Sequence, residues 1–252
     1  MAAKFSLTAA ILVLSLAAAR GEWTVGSSET ERSFVPGVEH RRIVLGEAVA
    51  GEEATLDLAL VSTKNATLRV VDNPTGSDDL AAVMRRTRGV AGVNGGYFDP
   101  QDAPVGLLVS EGKLIAPFRK ARLLSGVLVV TKTRVDLLRS SEYSSRKNVI
   151  AAVQCGPFLV DGGKPIAGLD NKRPARRTFV LTTGSDRVAL GFCSTVTLAQ
   201  LADILATPEL KTQRALNLDG GSSSGFWFAG ERGAFSIAEQ KTVRDFVIVT
   251  PK

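Results

Sequence analysis

The chain has one histidine, His40, together with two cysteines, two tryptophans and two tyrosines in 252 residues. A single imidazole excludes any site built on several histidines, and two cysteines exclude a cysteine-rich zinc site or a multi-disulfide scaffold. Charge of one sign is also scarce: 31 Lys and Arg stand against 25 Asp and Glu, for a formal charge of +6. The excess is spread thinly along the chain, without the dense basic stripe of a nucleic-acid binder, so no nucleic-acid partner is expected. No hydrophobic run, the N-terminal one included, reaches the roughly 20 residues that a spanning helix needs.

What is present is ordinary folded composition, with 44% hydrophobic and 22% charged residues, and this rules out disorder. The 24 glycines against 10 prolines point to many tight turns and hence a strand-rich fold. Met1-Ala2-Ala3-Lys4 followed by an apolar run from Phe5 to Ala19 reads as a secretory signal peptide over 1–19, with small residues at Ala17-Ala18-Ala19. The expected location is therefore secreted or periplasmic. Such a compartment permits a Cys155–Cys193 disulfide. Both cysteines sit in apolar, strand-like surroundings that suit free buried thiols equally well.

Residues 20–40 are polar and lack a clear period, which reads as a linker, and 41–252 read as one domain. Alternation in Thr55-Leu56-Asp57-Leu58-Ala59-Leu60 marks a strand. Ser77-Asp78-Asp79 opens a helix that Arg85, Arg86 and Arg88 close and Gly89 stops. A second helix over Thr197–Ala206 puts Leu198, Leu201 and Leu205 on one face. Short strands fill the rest. The expected fold is α+β: a single domain with a mixed, mostly antiparallel β-sheet and about two packing helices.

Two glycine-rich turns leave apolar strands, Asn94-Gly95-Gly96-Tyr97-Phe98-Asp99 and Asn217-Leu218-Asp219-Gly220-Gly221-Ser222-Ser223-Ser224. Paired glycines let a backbone approach a ligand closely, and Asp, Asn and Ser add donors and acceptors at the same place. A third element, Lys172-Arg173-Pro174-Ala175-Arg176-Arg177-Thr178, carries four cations just before a strand. Guanidinium forks match phosphate oxygens, and alternation lets only one of Arg176 and Arg177 point into a site.

The order of Asn-Gly-Gly-Tyr-Phe at 94–98, Cys-Gly-Pro-Phe-Leu-Val at 155–160, Ala-Arg-Arg-Thr-Phe-Val at 175–180, the 197–206 helix and the Asp-Gly-Gly turn at 219–221 resembles the phosphodiester glycosidase family. The resemblance covers roughly residues 70–250. It implies an α+β fold and hydrolysis of a sugar–phosphate diester at the anomeric carbon. It also implies that Asn94, Gly95, Gly96 and Tyr97 form one wall of the site. Arg177 and Thr178 match the family's Arg-Thr pair, Asp219, Gly220 and Gly221 its Asp-Gly-Gly turn, and Gly156 the glycine of a small-residue strand. Three positions depart from the pattern. Ser222 stands where a third glycine is usual, Phe179 replaces a small residue, and Lys241 stands where related chains have Arg.

The chemistry is consistent with those residues. A phosphomonoester leaving group has a second pKa of about 6, so it needs little protonation, and an arginine can stabilise its charge in the transition state. A carboxylate then serves the oxocarbenium-like anomeric centre. Asp219 is the first candidate and Asp99 the second, with Arg177 on the phosphate. The substrate expected is a phosphorylated glycan or a nucleotide-sugar-like small molecule. Oxygens at Asn94, Asp99, Asn217 and Asp219 leave a calcium or magnesium ion open, but no acidic run has the spacing of a cation-binding loop, so no metal is predicted, and no cofactor is expected.

Two rival readings remain. Gly221-Ser222-Ser223-Ser224-Gly225 fits the G-x-S-x-G pattern with Ser223 as nucleophile, but the lone His40 lies upstream and a strand follows the serine. A secreted glycan-binding module could use the same turns, with Phe226, Trp227 and Phe228 as a stacking face.

Overall fold

The computed structural model describes residues 22–252 apart from 50, 146, 147 and 185. The apolar run Phe5–Ala19 lies outside the described residues. The chain begins with β1 (Trp23–Arg32), β2 (Val38–Glu47), β3 (Glu53–Ser62) and β4 (Ala66–Asp72), followed by α1 (Leu80–Thr87) and β5 (Ala91–Asn94). Then come β6 (Leu108–Ser110), β7 (Lys113–Ala116), β8 (Gly126–Thr131), β9 (Val135–Arg139), β10 (Val149–Cys155), β11 (Phe158–Asp161) and β12 (Lys164–Pro165). β13 (Ala175–Thr182) and β14 (Arg187–Val196) lead into α2 (Leu198–Leu205). The last strands are β15 (Arg214–Asn217), β16 (Phe226–Gly230), β17 (Gly233–Ile237) and β18 (Asp245–Pro251).

The strands build three sheets. One has eight strands in the order β1-β2-β3-β14-β13-β15-β11-β12, and two have five, β7-β6-β10-β8-β9 and β17-β16-β5-β18-β4. The α+β fold expected from the sequence is what forms, and the pairings between named strands are antiparallel. One face of the large sheet, with Ala59, Val180, Leu190 and Leu216, packs on the inner faces of both smaller sheets in a shared core. Its other face, with Leu56, Leu58, Phe179 and Leu181, is covered by α2.

Helix α2 forms where Thr197 and Gln200 close a reciprocal capping box, the Gln200 N–H reaching Thr197 Oγ1 at 3.2 Å and the Thr197 N–H reaching Gln200 Oε1 at 2.9 Å. Burying Leu201, Ile204 and Leu205 stabilises its docking by roughly 1.5–3 kcal/mol per side chain. Helix α1 is capped by Asp79, whose Oδ1 accepts the Ala82 N–H at 2.6 Å, and it ends with Arg88 in the left-handed region before Gly89. Its Leu80, Val83 and Met84 cover the outer face of the β5–β18 sheet.

One local expectation changes, one strand comes unannounced, and the open question of the cysteines is answered. The stretch read as a linker carries β1, which pairs with β2 along its length at the edge of the large sheet. Its outward polar residues, seven of ten exposed, removed the periodic signal, as edge strands commonly do. β17, another mostly exposed edge strand, was likewise invisible. Cys155 and Cys193 are both free and buried, and they belong to the two different cores on opposite faces of the large sheet. Burial raises both thiols, Cys193 to about 12.

His40 is a core residue. Its Nε2 lies 2.8 Å from Asp57 Oδ1 and its ring stacks on Phe235 with a centroid separation of 4.8 Å, beside Phe226 and Phe228. The imidazole makes no bond to Ser223, so the serine triad suggested by the G-x-S-x-G match is not assembled.

Candidate active site

The two glycine turns meet where β5 ends and β15 ends, although 125 positions separate Asn94 from Asp219. Asn94 Nδ2 donates to the Asp219 carbonyl at 2.8 Å, and its Oδ1 accepts the Gly225 N–H at 3.1 Å. The Asp219 N–H in turn donates to the Gly95 carbonyl at 3.0 Å. Both turns are thereby bonded to each other through backbone and one buried amide.

Tyr97 fixes the first turn to a third segment. Its hydroxyl donates to the Gly156 carbonyl and accepts from Asn217 Nδ2 at 3.1 Å, while Asn217 also donates to the Gly156 carbonyl at 2.9 Å. Burial raises the Tyr97 phenol, so it remains a neutral donor. Gly156 is obligatory because a Cβ there would stand 2.1 Å from the Leu123 carbonyl oxygen.

Asp219 is half-buried, and its Oδ1 accepts the Gly220 N–H at 3.0 Å. Burial pushes its carboxyl pKa up, while the Ser223 hydroxyl, the Lys241 ammonium and the Gly220 N–H draw it back. Lys241 sits at the rim with its Nζ 4.7 Å above the Phe98 ring. The Ser222 backbone carbonyl accepts the Gln240 N–H at 2.7 Å and its side chain is exposed, so the serine in place of a third glycine leaves the wall intact.

Arg177 is buried and points along the second turn: a side chain at Gly220 would lie 3.7 Å from its Nη1. Its Nε donates to the Val196 carbonyl at 3.0 Å and its Nη2 to the Arg173 carbonyl at 2.5 Å. Among the described residues no carboxylate forms an ion pair with it. Burial lowers its pKa, with the Tyr97 phenol, Asp170 and Cys193 opposing. Arg176 serves another purpose. It packs over Phe192 at 5.1 Å and donates to the Ser224 and Ala238 carbonyls, bracing the second turn from outside.

Thr178 is fully buried and contributes its backbone carbonyl, which accepts the Leu218 N–H at 2.9 Å. Its hydroxyl has no hydrogen-bond partner. Gly96 lies under the site against Val153 and Asp245, and Gly221 takes a positive φ of 65° that opens the short turn after Asp219. Asp99 is not part of this constellation. Its Oδ1 accepts the Gln101 and Ala103 N–H groups, each at 2.9 Å, and so closes its own turn. Phe179 fits because Gly191 faces it across the strands, where a Cβ would come within 2.2 Å of its ring.

Two residues that sequence reasoning did not assign complete the arrangement. Asn217 stands out in the sequence as part of a turn and as one of the oxygens weighed for a cation. Asp245 opens β18 inside an apolar stretch, and its buried carboxyl lies directly beneath Gly95 and Gly96. Among the described residues no three His, Cys, Asp or Glu side chains gather into a metal-binding group.

The sequence profile of the phosphodiester glycosidase family matches residues 87–250, a span that includes both glycine turns, Arg177 and Asp245. The chain belongs to the phosphodiester glycosidase family. None of the curated proteins matches the chain in sequence. Among solved structures, the fold is similar to the zebrafish N-acetylglucosamine-1-phosphodiester alpha-N-acetylglucosaminidase catalytic domain, which was solved auto-inhibited by its pro-peptide. That match has a TM-score of 0.66 and 15% identity over 90% of this chain and 89% of that one. A hypothetical protein from Synechocystis matches at a TM-score of 0.60 and 15% identity, over 86% of this chain and 62% of that one. At such identities the likeness is one of fold, and it extends beyond the family profile to the N-terminal strands.

Proposed function

We propose that this member of the phosphodiester glycosidase family is an exported hydrolase that cleaves a sugar-1-phosphodiester at the anomeric carbon. The observation that carries the reading is the pairing, around one pair of joined turns, of a half-buried carboxyl with a buried guanidinium that has no carboxylate of its own among the described residues. An arginine left unpaired in a low-dielectric site is poised for an anion from outside the chain. The family assignment supplies the anion, a phosphodiester.

In this reading the phosphate meets Arg177 and the sugar lies against the Asn94–Tyr97 turn. The bond from the anomeric carbon to the bridging oxygen breaks, and its electron pair leaves with the phosphomonoester. Arg177 stabilises the charge that gathers on that group. Asp219 faces the positive charge developing at the anomeric carbon, and water supplies the hydroxyl of the released sugar. The raised pKa of Asp219 sets an acid limit, because the protonated carboxyl no longer serves that charge. The neutral Tyr97 phenol and the Asn217 amide hold the Gly156 wall without adding charge. The apolar N-terminal run supports export.

The test uses purified mature protein with sugar-1-phosphodiesters and UDP-sugars, scored for released sugar, beside nitrophenyl glycosides and a nitrophenyl ester. Sugar release from phosphodiesters alone, lost in Asp219→Asn and Arg177→Ala, is the expected result. Retention of a phosphoglycan without any turnover would replace this reading with that of a binding module.

A further inference from the structure

Asp245 lies beneath the Asn94–Tyr97 turn against which the sugar is placed, and its contacts lead straight to Asp219. Its backbone carbonyl accepts the Gly95 N–H at 2.8 Å, and its Oδ1 accepts the Gly96 N–H at 3.1 Å. The Gly95 carbonyl then accepts the Asp219 N–H at 3.0 Å. The carboxyl fills the space that a side chain at 95 would need, since a Cβ there would fall 1.8 Å from Oδ1. Its Oδ2 is enclosed and has no hydrogen-bond partner among the described residues.

We propose that Asp245 is a positioning residue for Asp219, holding the Gly95–Gly96 turn in place and coupling its own charge to that of Asp219 through it. The inference deepens the proposed function, on which it rests for the role of Asp219. The coupling itself does not depend on the reaction.

The surroundings of Asp245 place several charged groups against it. From β4, Asp72 faces Asp245 in register and is paired with Arg244. The Asp219 carboxyl, and from β10 the buried Cys155 thiol, are within its field. Burial pushes Asp245 up to about 7, the Gly96 N–H and Arg244 lower it, and Asp72 and Asp219 raise it further. If charge on Asp219 opposes ionisation of Asp245, charge on Asp245 opposes ionisation of Asp219 by the same amount. A carboxyl that merely filled space beneath the turn would carry no such link.

The test compares the wild-type protein with Asp245→Asn, which keeps the shape and an acceptor oxygen but removes the charge. Carboxyl carbon and amide resonances of Gly96, Asp219 and Asp245 are followed against pH by NMR. In the wild type, the Gly96 and Asp219 amides should share the inflection of Asp245, and in the variant the Asp219 carboxyl should titrate at lower pH. On a sugar-1-phosphodiester, kcat should fall roughly tenfold or more with KM within about twofold, as a misplaced group predicts. The acid limb of kcat/KM should move to lower pH. Identical Asp219 titration in both proteins would overturn the inference. Should the variant fail to fold, the wild-type amides decide alone: a shared inflection supports the coupling and independent titration overturns it. Absence of turnover would count against the proposed reaction and leave the resonance comparison to judge the coupling.

Discussion

The side-chain amide of Asn94 uses its nitrogen to hold the Asp219 carbonyl at 2.8 Å and its oxygen to hold the Gly225 N–H at 3.1 Å. One buried side chain thus bridges the start and the end of the second glycine turn from the end of β5. Asn94→Asp preserves shape but places a carboxylate oxygen against the Asp219 carbonyl. Loss of the donor in a buried site should cost about 1–3 kcal/mol in urea unfolding. The variant should also lose kcat, because the backbone of Asp219 is no longer anchored. Unchanged unfolding midpoint and kcat would show the bridge to be dispensable.

Among the described residues Arg177 has backbone carbonyls but no carboxylate as partners, so its burial costs stability that an anion can offset. Phosphate should therefore raise the Tm of the wild type in a concentration-dependent way. In Arg177→Met the Tm should hold or rise without phosphate and cease to respond to it, while phosphodiester turnover falls by roughly 10²–10³. Arg177→Lys keeps the charge but loses the planar fork, and should fall between the two. Differential scanning calorimetry across a phosphate series reads this without any substrate.

Glycine at 95 answers to a neighbour rather than to a turn. Gly95→Ala would drive its Cβ to 1.8 Å from Asp245 Oδ1, inside a fully packed region. A loss of about 2–4 kcal/mol is expected, in the range of overpacked cores. Gly46→Ala is the control, because nothing lies within 4 Å of a Cβ at that position in β2. It should change stability by less than about 0.5 kcal/mol. Equal unfolding midpoints for the two variants would contradict the packing described around Asp245.

The strands of the core were legible because their apolar residues alternate or run continuously, and both helices because Asp79 and Thr197 cap amphipathic segments. The two glycine turns could be singled out from composition alone, and Arg177 could be narrowed to one of two neighbours. What the sequence conceals is long-range. Asp245 sits in Val243-Arg244-Asp245-Phe246-Val247, where an acidic residue signals nothing until Gly95 is found above it. Asp99 stands second to Asp219 in a one-dimensional reading, and the Gln101 and Ala103 amides show it to be a turn acceptor. β1 escaped because an edge strand with exposed polar side chains has neither alternation nor a hydrophobic run.

Asp245 also makes a prediction about stability against pH, with a definite sign. Its carboxyl is raised by burial from the ordinary 3.8 to about 7, so between those values the folded protein holds a proton that the unfolded chain has released. Stability therefore falls as pH rises through this window, and above about 7 the penalty is constant. Asp219 is raised as well and adds in the same direction. Glu142, lowered to about 2 chiefly by its hydrogen bond to Arg214, acts oppositely and only on the acid side, below its ordinary 4.5. Comparing wild type with Asp245→Asn cancels that contribution. The two should unfold alike near pH 4, where Asp245 is neutral. By pH 8 the variant should be more stable by on the order of 2–4 kcal/mol, a Tm difference of several degrees for a chain of this size. A difference that is flat from pH 4 to 8 would mean that Asp245 does not take up a proton on folding. A variant that gains stability above neutral pH while losing kcat would place the cost of the buried carboxyl in the service of Asp219.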